Sequence, residues 1–514
     1  MQAHGEIAAE GHLAPASAAA TFCPRDRRRY VLIAAVLASA LGFIDGSIVS
    51  IAIPAIRATT GATLAEAQWV SNAYMLMLSA LILTGGALGD RFGLRRSFAA
   101  GIVVFVLASL LCAIAPTPEF LIGARIIQGV GAAVMVPGSL AIIGKAYPKA
   151  ERGRAIGVWA ASSALTTALG PVAGGLVLTI DESAWRWLFA INVPLGGVAV
   201  FLLLARVPAD PPSSARRIDV GGALLAIAGL GALSLGLTLI SETLPLANLP
   251  ALLIGAGVVL MVAFVSWELR HPEPMMKPSL FASRAFSGAN LSTFFLYFAL
   301  SAVLFYLPML LIAGWGVAES TTGFMFLPLS ALIALLSGPV GRLSDRIGPR
   351  LPMTVGSLFV AVAFAGTALL ARNGLHLFWE GMFPMMVLMG FGMALVVSPL
   401  STAVMTAIDD SDTGAASGIN NAVARISGLV AVAALGSVVA LRYGSIVDAS
   451  GVGTLPDYGE PVSTALSNSA EIVRVEASDR AYAAVAWIAS ACAALAALIC
   501  AFTAPGEAPK PAQD

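Results

Sequence analysis

The sequence predicts an all-α, polytopic membrane protein with 14 transmembrane helices, arranged as two related six-helix bundles and two inserted helices. Three observations support this fold class. Of the 514 residues, 58% are hydrophobic and only 11% are charged, whereas soluble proteins have about 25% charged residues. The apolar residues form long runs, and one short charged motif occurs twice in the chain. A water-soluble fold has no way to bury so much apolar surface, so the lipid bilayer is the expected solvent.

Composition also excludes several classes of function. The formal net charge is zero, which argues against a nucleic acid or an acidic partner. The four cysteines and four histidines show no disulfide or metal-ligand spacing, and there is no Walker loop and no nucleophile elbow. We therefore expect no metal, no cofactor and no enzymatic activity, although a polytopic membrane enzyme and a receptor-like sensor stay as distant alternatives.

The membrane spans follow from the apolar runs, because a spanning helix needs about 20 mostly apolar residues. Fourteen runs qualify, at 31–55, 69–89, 97–116, 119–143, 155–179, 187–206, 219–240, 248–267, 286–312, 321–341, 351–371, 380–405, 417–440 and 481–503. The first run is too long for the apolar region of a cleavable signal peptide, which has about 7–15 residues. It is therefore expected to be the first membrane helix.

These spans divide the chain into six parts. The predicted parts are an N-terminal tail at 1–30, a six-helix bundle at 31–206, a linker at 207–218, two inserted helices at 219–267, a second six-helix bundle at 268–503 and a C-terminal tail at 504–514. The longest predicted loop, 441–480, has mixed charge and no motif. We expect this loop to be a passive external cap. A ligand-binding module is the less favoured alternative.

The distribution of basic residues predicts the orientation, because cytoplasmic loops of membrane proteins are enriched in Lys and Arg. With the N-terminus inside, 21 of the 29 Lys and Arg residues lie in cytoplasmic segments and six lie outside. The other two, Arg125 and Arg425, lie within predicted spans. Both termini are therefore expected in the cytoplasm, and the protein is expected in the cell (cytoplasmic or inner) membrane.

The repeated motif shows that the two bundles are related. Five residues of the first copy recur 255 positions later: Gly86, Asp90, Arg91, Gly93 and Arg95. The second copy therefore includes Gly341, Asp345, Arg346, Gly348 and Arg350. Further glycines repeat at a common offset of 261, including Gly129 with Gly390 and Gly131 with Gly392. Such internal repeats are typical of secondary transporters.

The two charged loops are candidates for a conformational gate. Each aspartate can cap the helix that follows, or pair with a neighbouring arginine, and so hold the cytoplasmic side closed. Glycine lets the chain turn sharply and lets helices approach closely. The plainer alternative is a basic cytoplasmic loop with an ordinary helix cap.

Asp45 and Arg125 are candidates for proton coupling. Asp45 is the only acid that the sequence places deep in a span, where a carboxylate costs about 2.5–3.5 kcal/mol or more. Arg125 lies at a compatible depth in the fourth span, with Gln128 on the same helix face. An arginine stays charged, so it can tune a neighbouring acid or attract an anion. The alternative is a permanent structural ion pair.

A second set of polar and aromatic residues predicts a substrate cavity. Asn421 and Arg425 share one face of the thirteenth span, and their counterparts in the first half are Ala160 and Ala164. Hydrogen bonding between helices is the alternative for these two residues. Trp69 and Tyr74 are aromatic candidates for the cavity wall, although packing or an interfacial belt also explains them.

The fifth span ends in a glycine-rich run that contains Gly170, Pro171, Gly174 and Gly175. Proline bends a helix and spaced glycines allow tight packing. On its own this pattern is common in membrane helices.

Together these stretches resemble the major facilitator superfamily, and in particular its 14-helix drug:proton antiporter type, which includes multidrug efflux transporters. Residues 86–96 resemble the superfamily's cytoplasmic signature loop, 125–133 its helix 4 motif and 170–175 its antiporter motif. The stretches 44–49 and 185–194 are similar to ones found in the 14-helix branch. The resemblance implies alternating access and export of amphipathic small molecules driven by inward proton flow.

The chain departs from the family pattern at two equivalent positions. Met386 stands at the second-half counterpart of Arg125, and Val432 at that of Pro171. With one deep acid against two deep arginines, a polycationic drug is a poor fit. A dedicated exporter or importer of a single metabolite, possibly an anion, is the main alternative. Small molecules, protons and lipid are the expected partners, and the sequence does not specify whether a periplasmic adaptor takes part.

Overall fold

The computed structural model describes residues 21–211, 218–241, 248–409, 412–462 and 466–505, without the side chains of 149 and 150. Within these ranges the regular structure is helical and there is no strand. Fourteen helices are long and apolar enough to cross a membrane, which confirms the predicted fold class. They are α1 (Arg28–Thr60), α2 (Leu64–Phe92), α3 (Leu94–Ala113), α4 (Pro118–Ala146), α5 (Glu151–Leu178), α6 (Glu182–Arg206), α7 (Val220–Ser241), α8 (Leu249–Glu268), α9 (Arg284–Gly314), α10 (Glu319–Ile347), α11 (Arg350–Arg372), α12 (Phe378–Thr406), α13 (Thr413–Ser450) and α14 (Asn468–Thr503).

Local sequence explains several helix ends. Gly61 ends α1 with a φ of 70°, a left-handed conformation that favours glycine. A capping box then starts α2, because Thr63 accepts a hydrogen bond from the Glu66 amide and the Glu66 side chain accepts one from the Thr63 amide. Ser467 starts α14 by accepting a hydrogen bond from the amide of Ala470.

The predicted external loop at 441–480 is wrong at both ends. α13 continues to Ser450 and α14 begins at Asn468, so the connection between them covers only 451–467, of which 463–465 lie outside the described residues. The sequence estimate ended each helix where apolar residues become sparse. The polar turns of α14 remain helical because ion pairs between neighbouring turns stabilise them, including Arg474 with Glu471 and Arg480 with Glu476.

The repeated glycines make equivalent contacts in the two bundles. A Cβ atom at Gly129 of α4 would lie 2.6 Å from the backbone oxygen of Tyr74 in α2, and one at Gly390 of α12 would lie 2.9 Å from that of Pro328 in α10. Likewise Gly131 packs α4 against α3, and Gly392 packs α12 against α11. Glycine is needed at these four positions because a side chain would push the helices apart. The sequence repeat is therefore also a repeat of helix packing.

The inserted helices α7 and α8 lie beside the two bundles. An apolar cluster joins Leu76 of α2, Leu230 of α7, Phe264 of α8 and Leu429 of α13. α7 thus contacts both bundles at once. α8 packs mainly on α7, and little of its apolar surface is buried within the protein.

The loops that connect the helices lie at two opposite ends of the molecule. We call the end that carries the two repeated loops the basic end; its arginines are Arg91, Arg95, Arg96, Arg346 and Arg350. We call the other the distal end; it carries the connection 451–467. Most of the predicted linker and tails, at 1–20, 212–217 and 506–514, lie outside the described residues.

Candidate functional site

A cavity of about 960 Å³ lies between the two bundles. Its wall begins near mid-bundle, at Ser50 of α1, Pro171 of α5 and Arg425 of α13, and reaches Asp90 and Thr413 at the basic end. Small and apolar side chains make up most of the wall between these limits. A space of this size fits a drug-sized molecule.

Close helix packing shuts the distal end of the cavity. A Cβ atom at Gly175 of α5 would lie 2.4 Å from the backbone oxygen of Glu319 in α10. Conversely, a Cβ atom at Gly323 of α10 would lie 2.5 Å from the backbone oxygen of Pro171. These reciprocal contacts join the two bundles and close the distal end. The cavity therefore opens towards the basic end.

A buried arginine adds to this closure. Arg57, at the end of α1, donates a hydrogen bond of 2.5 Å to the backbone oxygen of Tyr458 in the connection 451–467. Its guanidinium also lies 3.6 Å from a carboxylate oxygen of Glu460. The contact links the first bundle to the connection between α13 and α14.

Asp45 and Arg125 form an ion pair in the core of the first bundle. The Arg125 Nη1 atom lies 2.8 and 2.6 Å from the two carboxylate oxygens of Asp45. Gln128 donates a hydrogen bond of 3.0 Å to Asp45 and accepts one of 2.6 Å from Arg125. Asp45 is 3% exposed and Arg125 is 1% exposed, so water does not screen the pair.

Further hydrogen bonds connect this pair to three more helices. Gln128 donates to the Ser109 hydroxyl of α3, which also accepts a hydrogen bond from Asn192 of α6. The Arg125 Nε atom donates to the backbone oxygen of Val70 in α2. These hydrogen bonds compensate the burial of the two charges, although the Asn192 Oδ1 atom has no partner among the described residues.

Tyr74 separates the ion pair from the cavity. The Arg125 guanidinium lies 4.3 Å from the centre of the Tyr74 ring, a cation–π contact. Tyr74 also lines the cavity, whereas Asp45 and Arg125 do not. The Tyr74 ring therefore lies between the Arg125 guanidinium and the cavity.

The predicted cavity residues divide into two groups. Tyr74, Asn421 and Arg425 line the cavity. Gln128 and Trp69 do not, so their assignment to the cavity wall is wrong. Gln128 is fully buried in the Asp45 network, and Trp69 packs against the cluster made by the inserted helices. Helical periodicity alone does not show which face of α2 the inserted helices cover.

Arg425 forms no ion pair with any acid in the part of the chain that the structure describes. Its buried Nε atom has no hydrogen-bond partner among the described residues, and the titratable groups near enough to affect it are Tyr74 and Tyr297. It also lines a second cavity of about 320 Å³ between α9, α12 and α13. The side chain therefore stands at the junction of two cavities.

The repeated loops share a backbone conformation. Gly93 has a φ of 90° and Gly348 a φ of 81°, and this explains why both copies need glycine there. Gly86 and Asp90 line the mouth of the cavity. Asp345, Arg346 and Arg350 of the second copy are exposed and lie outside the cavity wall.

The cap at the first loop comes from an unexpected residue. Asp210, in the linker after α6, accepts hydrogen bonds of 2.9 Å from the amides of Leu94 and Arg95 and lies 3.0 Å from the Lys145 Nζ atom. Asp210 therefore caps α3. Burial acts to raise the pKa of Asp210, but these two amides and the ammonium group outweigh it and lower the pKa below its ordinary value.

The glycine-rich end of α5 packs on α1 as well as on α10. A Cβ atom at Gly170 would lie 2.7 Å from the Ser47 hydroxyl, and one at Gly174 would lie 3.1 Å from the Ile48 side chain. Pro171 lines the cavity beside these contacts. The motif thus joins the wall of the cavity to its distal closure.

Two further buried acids lie in helices just outside the predicted spans, Asp479 before 481–503 and Glu268 after 248–267. Asp479 of α14 is 4% exposed and accepts hydrogen bonds from the Trp315 indole and the His376 ring, at 2.7 and 2.8 Å. The sequence predicts a loop over 441–480, so Asp479 is not expected within a helix.

The second acid is Glu268, at the end of α8. It accepts a hydrogen bond of 2.8 Å from the Met276 amide and adjoins Asp219, at the start of α7, which accepts hydrogen bonds from the Gly222 amide and the Trp267 indole. Burial acts to raise the pKa of Asp219, but these donors lower it overall. Asp219 lines the cavity mouth, so the inserted helices contribute to the entrance.

Among the residues that the structure describes, no group of three or more His, Cys, Asp or Glu side chains is placed to hold a metal ion.

The Major Facilitator Superfamily profile matches residues 35–432, and the chain belongs to this superfamily. Its members are transporters, and this protein is a transporter and not an enzyme. The fourteen helices and the family together make it a multi-pass membrane protein that handles small molecules.

Two relatives illustrate the similarity. The multidrug resistance protein Stp of Mycobacterium tuberculosis is 34% identical over 410 residues, which are 80% of this chain and 75% of that protein. The puromycin resistance protein pur8 of Streptomyces alboniger is 34% identical over 443 residues, which are 82% of this chain and 84% of that protein.

Solved structures share the fold at low sequence identity. A bacterial homolog of the human lysosomal transporter Spinster, in an inward-facing and unoccupied conformation, matches with a TM-score of 0.64 and 17% identity, over 93% of this chain and 98% of that chain. A D-xylose–proton symporter matches with a TM-score of 0.61 and 14% identity, over the same shares of the two chains.

Proposed function

We propose that the protein exports amphipathic small molecules in exchange for protons, by alternating access of the central cavity to the two sides of the cell membrane. The observation that carries the proposal is the buried Asp45–Arg125 pair, separated from the cavity by the ring of Tyr74. The names of the relatives, which refer to multidrug and puromycin resistance, support export of drug-like compounds.

The physical basis is a competition for the Asp45 carboxylate. In the present state Arg125 and Gln128 both donate hydrogen bonds to it. A rotation of α1 relative to α4 that broke these contacts would leave an unpaired carboxylate in a low-dielectric site, and proton uptake would relieve that cost. The protonation state of Asp45 is thereby linked to the conformation of the first bundle.

The orientation belongs to the same proposal. With the basic end in the cytoplasm, the cavity receives its substrate from the cytoplasm, and both termini lie on that side. Opening of the Gly175–Glu319 and Arg57–Tyr458 contacts would then release substrate outside. The repeated loops that contain Asp90 and Asp345 would limit opening at the cytoplasmic end.

The test is proton release from purified protein upon addition of amphipathic compounds, compared between wild type and Asp45→Asn. We expect wild type to release protons and the variant to bind compounds without release. Asp479→Asn is the matched control, because it removes another buried helical acid that does not line the cavity. Normal release from Asp45→Asn would refute the coupling role.

The second candidate is a carrier dedicated to one metabolite. The observation in its favour is Arg425, which is the one basic residue among the described residues of the cavity wall. A panel of compounds with different shapes distinguishes the two. Response to many shapes supports a multidrug exporter, and response to a single compound supports the dedicated carrier.

A further inference from the structure

The charges that line the central cavity are distributed unevenly. Among the described residues of its wall, three carboxylates, those of Asp90, Asp219 and Glu273, lie towards the basic end. Arg425 is the one basic residue of that wall, and it lies deeper, about three helical turns along α13 from Thr413 at the mouth. The inner part of the cavity therefore carries a positive charge.

The two deep arginines differ in what neutralises them. Arg125 is paired with Asp45, and the pair is closed off from the cavity. No ion pair of the described residues includes Arg425, and its buried Nε atom has no acceptor. A cation within an apolar environment without a counter-charge is costly. An anion that entered the cavity would remove this cost.

The surroundings of Arg425 provide the remaining groups for an anionic head. The adjoining cavity of about 320 Å³ is lined by the hydroxyl-bearing side chains of Tyr297, Ser301 and Ser401 and by Asn421. Ser401 already donates its hydroxyl proton to the backbone oxygen of Val397 and Asn421 donates one amide proton to that of Ser417. The hydroxyls of Tyr297 and Ser301 and the second amide proton of Asn421 are the groups that can donate to carboxylate oxygens, and a guanidinium binds a carboxylate through two parallel bonds. The small cavity fits a polar head, and the larger one fits an apolar body.

We infer that the transported substrate is an amphipathic monoanion, with its carboxylate or similar acidic group bound by Arg425 at the junction of the two cavities. The inference rests on the proposed export function and adds the charge class of the substrate. Its apolar body lies against Tyr74 and the small residues of α1 and α5. Cations gain nothing from this site, because Arg425 repels them.

The experiment measures binding of three compounds with one body and different charges: 2-naphthylacetate, 2-naphthylacetamide and 2-naphthylethylammonium. They are titrated into purified protein in nanodiscs, for wild type, Arg425→Gln and Arg425→Lys. For wild type we expect the carboxylate to bind about tenfold more tightly than the carboxamide, and the ammonium compound to bind most weakly. Arg425→Gln should reduce the difference between carboxylate and carboxamide to about twofold or less.

Two variants make the result specific. Arg425→Lys keeps the charge but loses the paired donors, so it should retain part of the preference for the carboxylate. Arg442→Gln is the matched control, because Arg442 lies on the same helix but is exposed and outside both cavities. It should keep the full preference.

Several results would overturn the inference. They are equal binding of the carboxylate and the carboxamide by wild type, a preserved preference in Arg425→Gln, and no carboxylate binding at millimolar concentration. Proton release is recorded in the same titrations, which separates this inference from the proposed function. If the carboxamide or the ammonium compound drives Asp45-dependent proton release while the carboxylate is not preferred, the export proposal stands and the anion site fails.

Discussion

The two bundles share their helix packing but differ in their buried charges. Equivalent glycines, such as Gly129 and Gly390, hold equivalent helices together in both. The first bundle contains a satisfied network around Asp45 and Arg125, whereas Met386 occupies the position equivalent to Arg125 in the second. The second bundle instead places Arg425 at the cavity without a counter-charge. The pseudo-symmetric scaffold therefore supports two different sites, one closed to the cavity and one open to it.

The largest effect that this comparison predicts is a loss of stability when the paired arginine, Arg125, is removed. Arg125→Met leaves the Asp45 carboxylate buried without its partner, and should cost about 3–5 kcal/mol of unfolding free energy. Thermal or denaturant unfolding in detergent measures the loss. The double variant Asp45→Asn/Arg125→Met should recover a large part of it, since no charge is left uncompensated. Unchanged stability of Arg125→Met would show that the network does not hold the first bundle together.

The contact between the bundles can be broken at the distal end. In Gly175→Ala the new methyl group meets the backbone oxygen of Glu319, which cannot move as a side chain does, so α5 and α10 must separate. We expect a loss of about 1–3 kcal/mol and faster labelling, from the distal side, of a cysteine introduced at Ser50 in the cavity wall. Gly157→Ala in the same helix is the control, because a Cβ atom there meets open space. Equal labelling of the two variants would contradict this account of the closure.

A smaller loss of stability is expected when the cap of α3 is removed. The equivalent helix of the second bundle, α11, has no side-chain cap among the described residues. Asp210→Ala removes the acceptor for two amides and should cost about 1 kcal/mol at neutral pH. Asp26→Ala, at an exposed acid near the same end, should cost nothing measurable.

The Asp210 effect should also depend on pH in one direction. The folded protein lowers the pKa of Asp210, so its stabilising contribution is complete above the ordinary Asp value of about 3.9. The contribution is lost as the pH falls through the lower folded pKa. Unfolding measured from pH 7 to pH 3 should therefore show wild type and Asp210→Ala converging at the acid end. A difference that grows towards acid pH would be the wrong sign.

The smallest effect on stability is expected at the unpaired arginine. Arg425→Gln removes a charge that no described residue compensates, and should change the unfolding free energy by less than about 0.5 kcal/mol, or raise it. The same unfolding assay used for Arg125→Met checks this. A loss comparable to that of Arg125→Met would mean that Arg425 has a structural role like that of the first arginine, and the contrast between the bundles would disappear.

Much of the site was visible in the sequence because charges inside apolar runs are conspicuous. Asp45, Arg125 and Arg425 were each identified in this way, and the structure shows the first two in contact. Asp210 was not identified, because a linker rich in Pro and Ser gives no signal that one of its acids reaches the amides of α3. Asp479 was missed because polar turns hide the start of a membrane helix.

The errors at Trp69 and Gln128 have a different cause. Both residues lie on helices that the sequence located correctly, but each helix faces several neighbours at once. Periodicity identifies residues that share a face, and it does not identify the neighbour that covers that face. The inserted helices cover Trp69, and the Asp45 network uses Gln128.

The sequence by itself determined the class of protein, the number of helices and the repeat of the two bundles. These properties depend on the length of apolar runs and on short motifs, which the bilayer and close helix packing impose locally. The tertiary structure decided which arginine is neutralised, which residue caps α3 and which side of the cavity is closed. Those outcomes depend on contacts between residues far apart in the chain, such as Asp45 with Arg125 and Gly175 with Glu319, and they exist only once the helices have packed.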